Sequence, residues 1–305
     1  MGIFPDVIVC RTEVPLEDGI ESKIALFCNV PEDHVLQNLD VEYLYEAPLA
    51  MEKERLAQVV CECLNIPCPE PQLGDWKQMV DALKNPTSEV TIALVGKYIQ
   101  LHDAYLSVME ALKHGGIANR TKVSIKWVDS EFLTPEILDD TFAGVDGIII
   151  PGGFGSRGTE GMILAANYAR ENKIPFLGIC LGMQMLFEES DEVRPCRGLG
   201  LLPGRIERIE TSLKLPQIGW NALDILRLNA MTEGLENGSY VYFVHSFMAH
   251  PADENDLAAV TDYGTRVPAM VARGNLFGCQ FHPEKSGEVG LAMLRNFAKL
   301  TEVGK

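Results

Sequence analysis

The stretch IPFLGICLGMQ, residues 174–184, decides the fold and contains the most informative cysteine of the chain. An apolar run typical of a buried strand ends at Cys180, and a helical pattern begins near Leu181. Gly178 and Gly182 lie two residues to either side of the thiol, and glycine permits the close backbone approach that a sharp strand-to-helix turn requires. The start of a helix also favours a thiolate. Cys180 is therefore a candidate nucleophile, although a buried cysteine that ends a core strand would give the same pattern.

Alternating strand-like and helical runs surround this stretch from Val90 onward. Continuous apolar runs such as VTIALVG (90–96) indicate strands that are covered on both faces. Helical patterns between them, such as DAYLSVMEALKHG (103–115), predict an α/β fold with a doubly wound parallel sheet. Sites in open sheets form at the carboxyl ends of the strands. The stretches that end in IIIPGG, LGIC and CQFHPE are therefore expected to meet.

The stretch CQFHPEKSGE, residues 279–288, supplies a candidate base. His282 and Glu284 are two residues apart, so both side chains project to the same side of an extended segment. Pro283 favours extended geometry at His282. Glu284 would orient the imidazole and leave its other nitrogen for Cys180, as in a triad of nucleophile, base and orienting group. Taken alone, the same residues also fit a surface loop.

The glycine-rich stretch IIIPGGFGSRG, residues 148–158, is a candidate oxyanion hole. It matches neither the P-loop pattern G-x-x-x-x-G-K-[ST] nor a strong dinucleotide fingerprint. Backbone N–H groups at this strand end could instead join the N–H of Leu181 around an oxyanion. A plain glycine turn is the alternative.

Composition excludes several other classes of protein. The 305 residues carry a formal charge of -17, with a pI near 4.8, which argues against a nucleic acid partner. No apolar run is long enough to span a membrane, and the first residues lack the features of a signal peptide, so we expect a cytoplasmic protein. The cysteines of CECLNIPC (61–68) lack a second pair of ligands at zinc spacing, so no metal site is predicted.

With these motifs in place, residues 90–305 resemble a class I glutamine amidotransferase, whose hallmarks are an oxyanion strand with PGG, an elbow G-x-C-x-G and a terminal H-P-E. The resemblance implies a flavodoxin-like α/β domain that hydrolyses L-glutamine to glutamate and ammonia through a cysteinyl thioester, without a cofactor. By position it implies that Cys180 is the nucleophile, His282 the base, Glu284 its orienting group, Gly153 and Leu181 the oxyanion donors, and Gly152 and Gln184 contacts of the substrate.

The first 180 residues resemble CTP synthase in particular, through words such as GIFPDVIVCRT, SEVTIALVGKYI and PGGFGSRGTEGM. That resemblance implies that Lys23 contacts a nucleotide phosphate and that Arg157 lies on a lid over the glutamine site. Leu106 departs from the lysine that this family often has in AYxSV. The CTP synthase resemblance also implies that residues 1–65 are the C-terminal fragment of a truncated α/β amidoligase domain and that residues 90–305 are the amidotransferase domain. Residues 66–89, which carry four prolines and a short helical pattern, are predicted to be a linker.

Beyond Gln184 the resemblance changes to the glutaminase subunit of imidazole glycerol phosphate synthase, through words such as GLGLLPGRIERI, KLPQIGWNAL and GNLFGCQFHPEKSGEVG. The chain therefore resembles two families joined at the elbow. The second family implies that the glutamine backbone is held by Glu192, His245, Ser246 and Phe247, where tyrosine is frequent at the last position. It further implies that a partner subunit is contacted by Trp220, Tyr242 and Lys285.

These resemblances imply that ammonia passes to a synthase site, either in a cyclase (β/α)8 barrel subunit or in a homo-oligomer like that of CTP synthase. ATP and Mg²⁺ would be needed only by an amidoligase core. Because no P-loop pattern occurs, we expect that the chain does not make CTP alone. Without the upstream strands of such an amidoligase domain, residues 1–65 are expected to expose a sheet edge or apolar surface and to associate with a second copy. Two other functions remain open: a cysteine hydrolase with another substrate, and a catalytically impaired hybrid that acts only as a binding module.

Overall fold

The computed structural model describes residues 4–153, 157–192 and 195–302, so residues 154–156 of the predicted glycine-rich stretch lie outside the described part. The chain divides into two compact units, Met1–Lys84 and Asn85–Lys305. No helix within the described ranges is long and apolar enough to cross a membrane.

The first unit is built around two parallel strands that pair from Ile8 with Val35 to Thr12 with Leu39. Its elements are β1 Ile8–Thr12, α1 Ile20–Cys28, β2 Val35–Leu39, α2 Ala47–Lys53, α3 Leu56–Leu64 and α4 Gly74–Lys84. The pattern EKERLAQVVCECL, residues 52–64, predicts a single helix, but this helix is interrupted because Arg55 adopts a φ of 61° between α2 and α3.

The segment 66–89, expected to be a linker, contains a helix that folds with the first unit. Trp76 on α4 donates its indole N–H to the carbonyl of Tyr45 at 2.7 Å, and Lys84 forms an ion pair with Glu46 at 2.8 Å. These contacts hold α4 against the first unit, and the division between units falls after Lys84. The prolines precede α4, and the contacts of Trp76 and Lys84 hold that helix against the preceding helices.

The second unit contains the predicted alternation of strands and helices. Its strands are β3 Ser88–Gly96, β4 Thr121–Asp129, β5 Gly147–Ile150, β6 Phe176–Ile179, β7 Phe187–Ser190, β8 Cys196–Arg197, β9 Leu202–Arg208, β10 Gln217–Ala222, β11 Asp224–Ile225, β12 Tyr240–His245, β13 Phe247–Pro251, β14 Leu257–Asp262, β15 Arg266–Arg273 and β16 Leu276–Cys279. Its helices are α5 Leu106–Ala118, α6 Leu138–Phe142, α7 Thr159–Glu171, α8 Leu181–Gln184 and α9 Gly287–Glu302.

Within the described residues, eight strands form the main sheet in the order β11-β14-β15-β16-β6-β5-β3-β4. The five strands from β16 to β4 are parallel, and β11, β14 and β15 extend the sheet in antiparallel pairing. A smaller sheet has the order β13-β9-β7-β8, and β10 pairs with β12 in a separate antiparallel ribbon. The predicted α/β class with a central parallel sheet is confirmed.

Both faces of the main sheet are buried, which explains the continuous apolar runs. On β3, Ala93 and Val95 belong to one core cluster, whereas Ile92 and Leu94 belong to the other. Helix α7 covers the first face, and helices α5 and α9 supply buried side chains on the second. Successive side chains of a strand point to opposite faces, so a strand covered on both sides must be apolar throughout.

Candidate active site

Cys180 occupies a strained turn between β6 and α8. Its φ of 53° and ψ of -106° lie in a region that residues other than glycine rarely adopt, and such strain is typical of functional turns. A Cβ at Gly178 would collide with the carbonyl oxygen of Gly182, and a Cβ at Gly182 would lie 2.5 Å from the carbonyl oxygen of Ile150. The two glycines are therefore needed because backbone passes against backbone on both sides of the thiol.

The three predicted strand ends meet at one edge of the sheet. Strand β6 pairs in parallel with both β5 and β16, with Gly178 opposite Ile150 on one side and Gly278 on the other. PGG follows β5, Cys180 follows β6, and QFHPE follows β16. Parallel neighbours end on the same side, so distant parts of the chain converge here.

His282 lies between Cys180 and Glu284. Its Nδ1 is 2.7 Å from Oε1 of Glu284, and a Cβ at Gly152 would lie 3.7 Å from its Nε2 and 3.5 Å from Cβ of Cys180, so the ring lies next to the thiol. The segment from Pro283 to Lys285 forms a single 3-10 turn, whereas the sequence predicted that an extended strand would align the two side chains. Only His282 itself is extended, with a φ of -101°, so the turn rather than strand alternation brings the carboxylate to the ring.

The surroundings of His282 favour its charged form. Burial by itself would lower the pKa of His282, but hydrogen bonds to Cys180 and Glu284, with the charges of both groups, raise that pKa to about 9. An imidazolium next to a thiol stabilises the thiolate, which is the reactive nucleophile. The arrangement therefore places a protonated imidazole beside the sulfur of the candidate nucleophile.

Gly152, predicted to contact the substrate, borders this pair. A Cβ at Gly152 would lie 3.0 Å from Cε1 of His282 and 3.5 Å from Cβ of Cys180, so Gly152 faces the reactive groups directly. A Cβ at Gly153 would instead meet Lys97. Leu181 is the first residue of α8, where backbone N–H groups have no partner within the helix. Both stretches thus bring backbone close to the thiol.

Comparison with known proteins decides the family. The model of the class-I glutamine amidotransferase family matches residues 100–300, and the model of the CTP synthase N-terminus matches residues 1–66. The chain belongs to the class-I glutamine amidotransferase family.

Several CTP synthases are similar to this amidotransferase. The chain is 59% identical over 189 residues to CTP synthase of Ruminiclostridium cellulolyticum, which covers 62% of the chain and 35% of that protein. It is 49% identical over 219 residues to the Clostridium acetobutylicum enzyme, covering 72% of the chain and 40% of that protein. The chain thus spans well under half the length of these relatives.

A solved structure shows the same fold. The glutaminase domain of Trypanosoma brucei CTPS with bound acivicin superposes with a TM-score of 0.53 at 26% sequence identity. The match covers 69% of this chain and 94% of that domain. The second unit of the amidotransferase therefore has the fold of a CTP synthase glutaminase domain.

Gln184, predicted to contact the substrate glutamine, is buried and belongs to a polar cluster beside the thiol. Its Nε2 donates to Oε1 of Gln280 at 3.0 Å and to the carbonyl of Phe247 at 3.3 Å. The same carbonyl accepts the Nδ1–H of His245 at 2.8 Å. Burial, together with the nearby charge of His282, lowers the pKa of His245 to about 4 although the bond to Phe247 opposes the shift. His245 is therefore neutral, with Nε2 as an unprotonated acceptor.

Three further predicted residues surround this cluster. Ser246 connects β12 to β13, and its carbonyl accepts the N–H of Ile209. Glu192 follows β7 and is partly buried, which raises the pKa of its carboxyl. Gly152, described above, faces the triad.

Arg157 stands at the other end of the glycine-rich stretch. Its Nε forms an ion pair with Glu131 at 2.8 Å, its Nη2 donates to the carbonyl of Lys97, and its guanidinium lies 5.4 Å from the ring centre of Tyr98. The predicted lid residue is thus packed against the residues that follow β3 and β4.

Of the remaining predicted residues, Trp220, Lys285 and Lys23 are exposed and Tyr242 is half-buried. Trp220 and Tyr242 pair across β10 and β12 with ring centres 6.0 Å apart, and Trp220 is 52% exposed. Lys285 lies in the turn that contains Glu284. Lys23 is exposed on α1 in the first unit.

Sequence reasoning missed two buried polar residues of the site. Lys97 follows β3, and its side chain approaches Gly153; burial and the charge of Arg157 lower the pKa of its ammonium, while Glu131 raises it. Gln280 lies inside the CQFHPE motif and contacts Cys180. Both follow strands of the parallel part of the sheet, so the rule that located Cys180 and His282 could also have indicated them.

Proposed function

We propose that this amidotransferase hydrolyses L-glutamine through a γ-glutamyl thioester on Cys180 and delivers the ammonia to a synthase site. The observation that carries the proposal is that Cys180, His282 and Glu284 lie together at the edge where β5, β6 and β16 end, with the imidazole bonded to the carboxylate and next to the thiol. This is the arrangement of nucleophile, base and orienting group that acyl transfer requires.

In the first half of the reaction, the Cys180 thiolate attacks the side-chain amide carbon and a carbon–sulfur bond forms. Negative charge develops on the former carbonyl oxygen, where the N–H groups of Leu181 and of the PGG strand would stabilise it. The carbon–nitrogen bond then breaks, and protonated His282 gives its proton to the departing nitrogen, which leaves as ammonia.

In the second half, neutral His282 takes a proton from water, and the resulting hydroxide attacks the thioester carbon. The carbon–sulfur bond breaks, glutamate leaves, and the sulfur returns to its thiolate form. Glu284 keeps the imidazole oriented and stabilises its charge through both steps. No cofactor is needed for this sequence.

The relatives favour a CTP synthase type of acceptor. Residues 1–66 match the CTP synthase N-terminus, and the similar proteins reported above are CTP synthases. We therefore propose that ammonia is consumed by an amidoligase centre of that kind, in a cytoplasmic homo-oligomer, and that ATP and Mg²⁺ act only there. The assignment of Lys23 to a nucleotide phosphate belongs to this proposal.

The resemblance of residues 181–305 to the imidazole glycerol phosphate synthase glutaminase is not supported by these relatives and stays a prediction, as does a cyclase barrel partner. Such a partner would contact the surface that contains exposed Trp220 and half-buried Tyr242. Ammonia release measured with and without a cyclase barrel subunit tests it: stimulation by the barrel would support this partner, and an unchanged rate would exclude it.

Covalent labelling tests the proposed function. A diazo or chloroketone analogue of glutamine should modify Cys180, and excess glutamine should protect it. Modification without protection would indicate a cysteine hydrolase for another substrate. Failure of both labelling and thermal stabilisation by glutamine would indicate a module without a working pocket.

A further inference from the structure

Gln280 lies beside the nucleophile, and no motif considered above gives it a role. It follows β16, its side chain is fully buried, and its backbone N–H donates to the carbonyl of Ala269 at 2.9 Å. Its side-chain Nε2 is 3.6 Å from Sγ of Cys180. A fully buried amide in contact with a reactive sulfur calls for an explanation, because burying an amide is costly unless it is hydrogen-bonded.

The hydrogen-bond network determines which end of this amide faces the sulfur. The carbonyl oxygen of Phe247 can only accept, so the Gln184 atom 3.3 Å from it must be the NH₂ group. That same NH₂ group lies 3.0 Å from the amide of Gln280, which must therefore present its oxygen. The opposite end of the Gln280 amide is then the NH₂ group, and it points to Cys180. A carbonyl 63 residues from Gln184 thus fixes a donor next to the thiol.

Cys180 thus lies next to two side chains that can donate a hydrogen bond, the imidazole of His282 and the amide of Gln280. A thiolate gains much more from a second N–H donor than a neutral thiol does, because hydrogen bonds to charged groups are the stronger ones. The other titratable groups that interact with this centre are Glu284, which pairs with His282, His245, which is coupled to His282, and Cys279, which is coupled to Cys180 and Glu284.

We propose that Gln280 is a positioning residue that donates a hydrogen bond to the Cys180 thiolate, and that Gln184 holds the Gln280 amide in the donating orientation. The role in turnover rests on the proposed glutaminase function. The effect on the thiolate does not, because it is a property of the unliganded site.

The first test compares Gln280→Met with the unaltered chain. Methionine is unbranched and similar in length but has no N–H donor. The pH dependence of Cys180 alkylation by iodoacetamide, followed by mass spectrometry of the peptide that contains Cys180, should move upward by about one pH unit. The kcat for glutamine should fall about 10- to 100-fold, with KM changed much less, since Gln280 contacts the nucleophile.

Gln217→Met is the matched control. Gln217 is also fully buried, but its amide donates to Asn221 at 3.0 Å rather than to Cys180. Loss of a buried amide at this position should leave the alkylation profile of Cys180 unchanged. If Gln280→Met and Gln217→Met both follow the profile of the unaltered chain, Gln280 does not act on the thiolate and the proposal is wrong. Equal shifts in the two variants would also refute it, since they would reflect a general loss of stability.

A second measurement needs no variant of Gln280. In the unaltered chain, the side-chain amide protons of Gln280 should shift in the NMR spectrum as Cys180 titrates, and Cys180→Ala should abolish this shift. An amide signal that ignores the titration would overturn the proposal even if Gln280→Met did not fold. A chain that fails to hydrolyse glutamine but shows the NMR response would refute the proposed function and leave the positioning role intact.

Discussion

The two units place a cysteine beside a histidine in different surroundings. In the first unit, Sγ of Cys63 lies 3.7 Å from Nδ1 of His34, on an exposed surface, and that nitrogen also lies 2.8 Å from the carbonyl of Asp6. In the second unit, the Cys180–His282 pair is mostly enclosed, and a carboxylate contacts the other ring nitrogen. A cysteine and a histidine in contact are therefore not sufficient for a reactive site. Burial and the carboxylate make the difference, because both strengthen the interaction of the charged pair.

The two units also differ in how many apolar side chains they bury. In the described part of the first unit, the buried apolar side chains are Ala25, Val35, Leu36, Val59, Val80 and Ala82, while Leu26 and Phe27 are 79% and 88% exposed. The second unit has an apolar cluster on each face of its sheet. Parallel strands are normally covered on both faces, and two strands alone provide little surface to bury. The four predictions below test whether chemistry and stability are both concentrated in the second unit.

The largest effect is expected for the nucleophile. Cys180→Ala should reduce glutaminase turnover by at least about a thousandfold, because residues of a catalytic triad act as a unit. Cys63→Ala, in the exposed pair, should leave turnover unchanged. Ammonia release from glutamine measures both variants. Undiminished turnover in Cys180→Ala would show that the Cys180–His282 pair is no more reactive than the exposed pair.

The next largest effect is expected on stability, where removing a phenylalanine ring should have different consequences in the two units. Phe297→Ala in α9 removes a fully buried ring and should lower the free energy of unfolding by about 3–5 kcal/mol. Phe27→Ala in α1 removes a ring that is 88% exposed and should change stability by less than about 0.5 kcal/mol. Denaturant unfolding followed by circular dichroism measures both. Comparable losses would mean that Phe27 is covered in solution by a second chain or another protein.

Adding one methyl group to the backbone provides a third contrast. Gly182→Ala would place a Cβ 2.5 Å from the carbonyl oxygen of Ile150 and should cost about 1–3 kcal/mol, with loss of activity as the elbow shifts. Gly74→Ala, at the start of α4, meets no atom within 4 Å and should be neutral or slightly stabilising. Thermal melting and glutamine turnover of each variant test this prediction. An active and stable Gly182→Ala would show that the backbone of the turn at Cys180 is not closely packed against Ile150.

The smallest effect concerns pH. Because the pKa of His282 is raised to about 9, its favourable contribution is complete below the ordinary value near 6.5 and is lost as pH rises through about 9. Turnover should therefore fall about fivefold between pH 9 and 10, as the proton needed by the leaving ammonia is lost.

His34→Gln, in the exposed pair of the first unit, should leave that pH profile unchanged. Stability should follow the same direction: the difference in free energy of unfolding between the unaltered chain and His282→Gln should narrow from pH 7 to pH 10. A profile that remains flat up to pH 10 would show that His282 is not the group that loses the proton.

Much of the site followed from local patterns in the second unit. Continuous apolar runs predicted strands buried on both faces, and β3 shows this alternation between two core clusters. The residues after three such runs, PGG, Cys180 and His282, were expected to meet, and they do. The first unit was predicted less well: the helix expected over residues 52–64 breaks at Arg55, and α4 lies where a linker was expected. Where few side chains are buried, single contacts such as that of Trp76 decide the local structure.

The sequence by itself determined the order of strands and helices, the close backbone packing at Gly178 and Gly182, and the position of each reactive residue at a strand end. These features follow from periodicity and from the size of one side chain, which are local properties. Only the tertiary structure decided that a 3-10 turn brings Glu284 to His282, that His245 is neutral, and that the amide of Gln280 presents its donor to Cys180. The direction of a hydrogen bond and the charge of a buried ring depend on partners far away along the chain, and the folded structure alone brings those partners together.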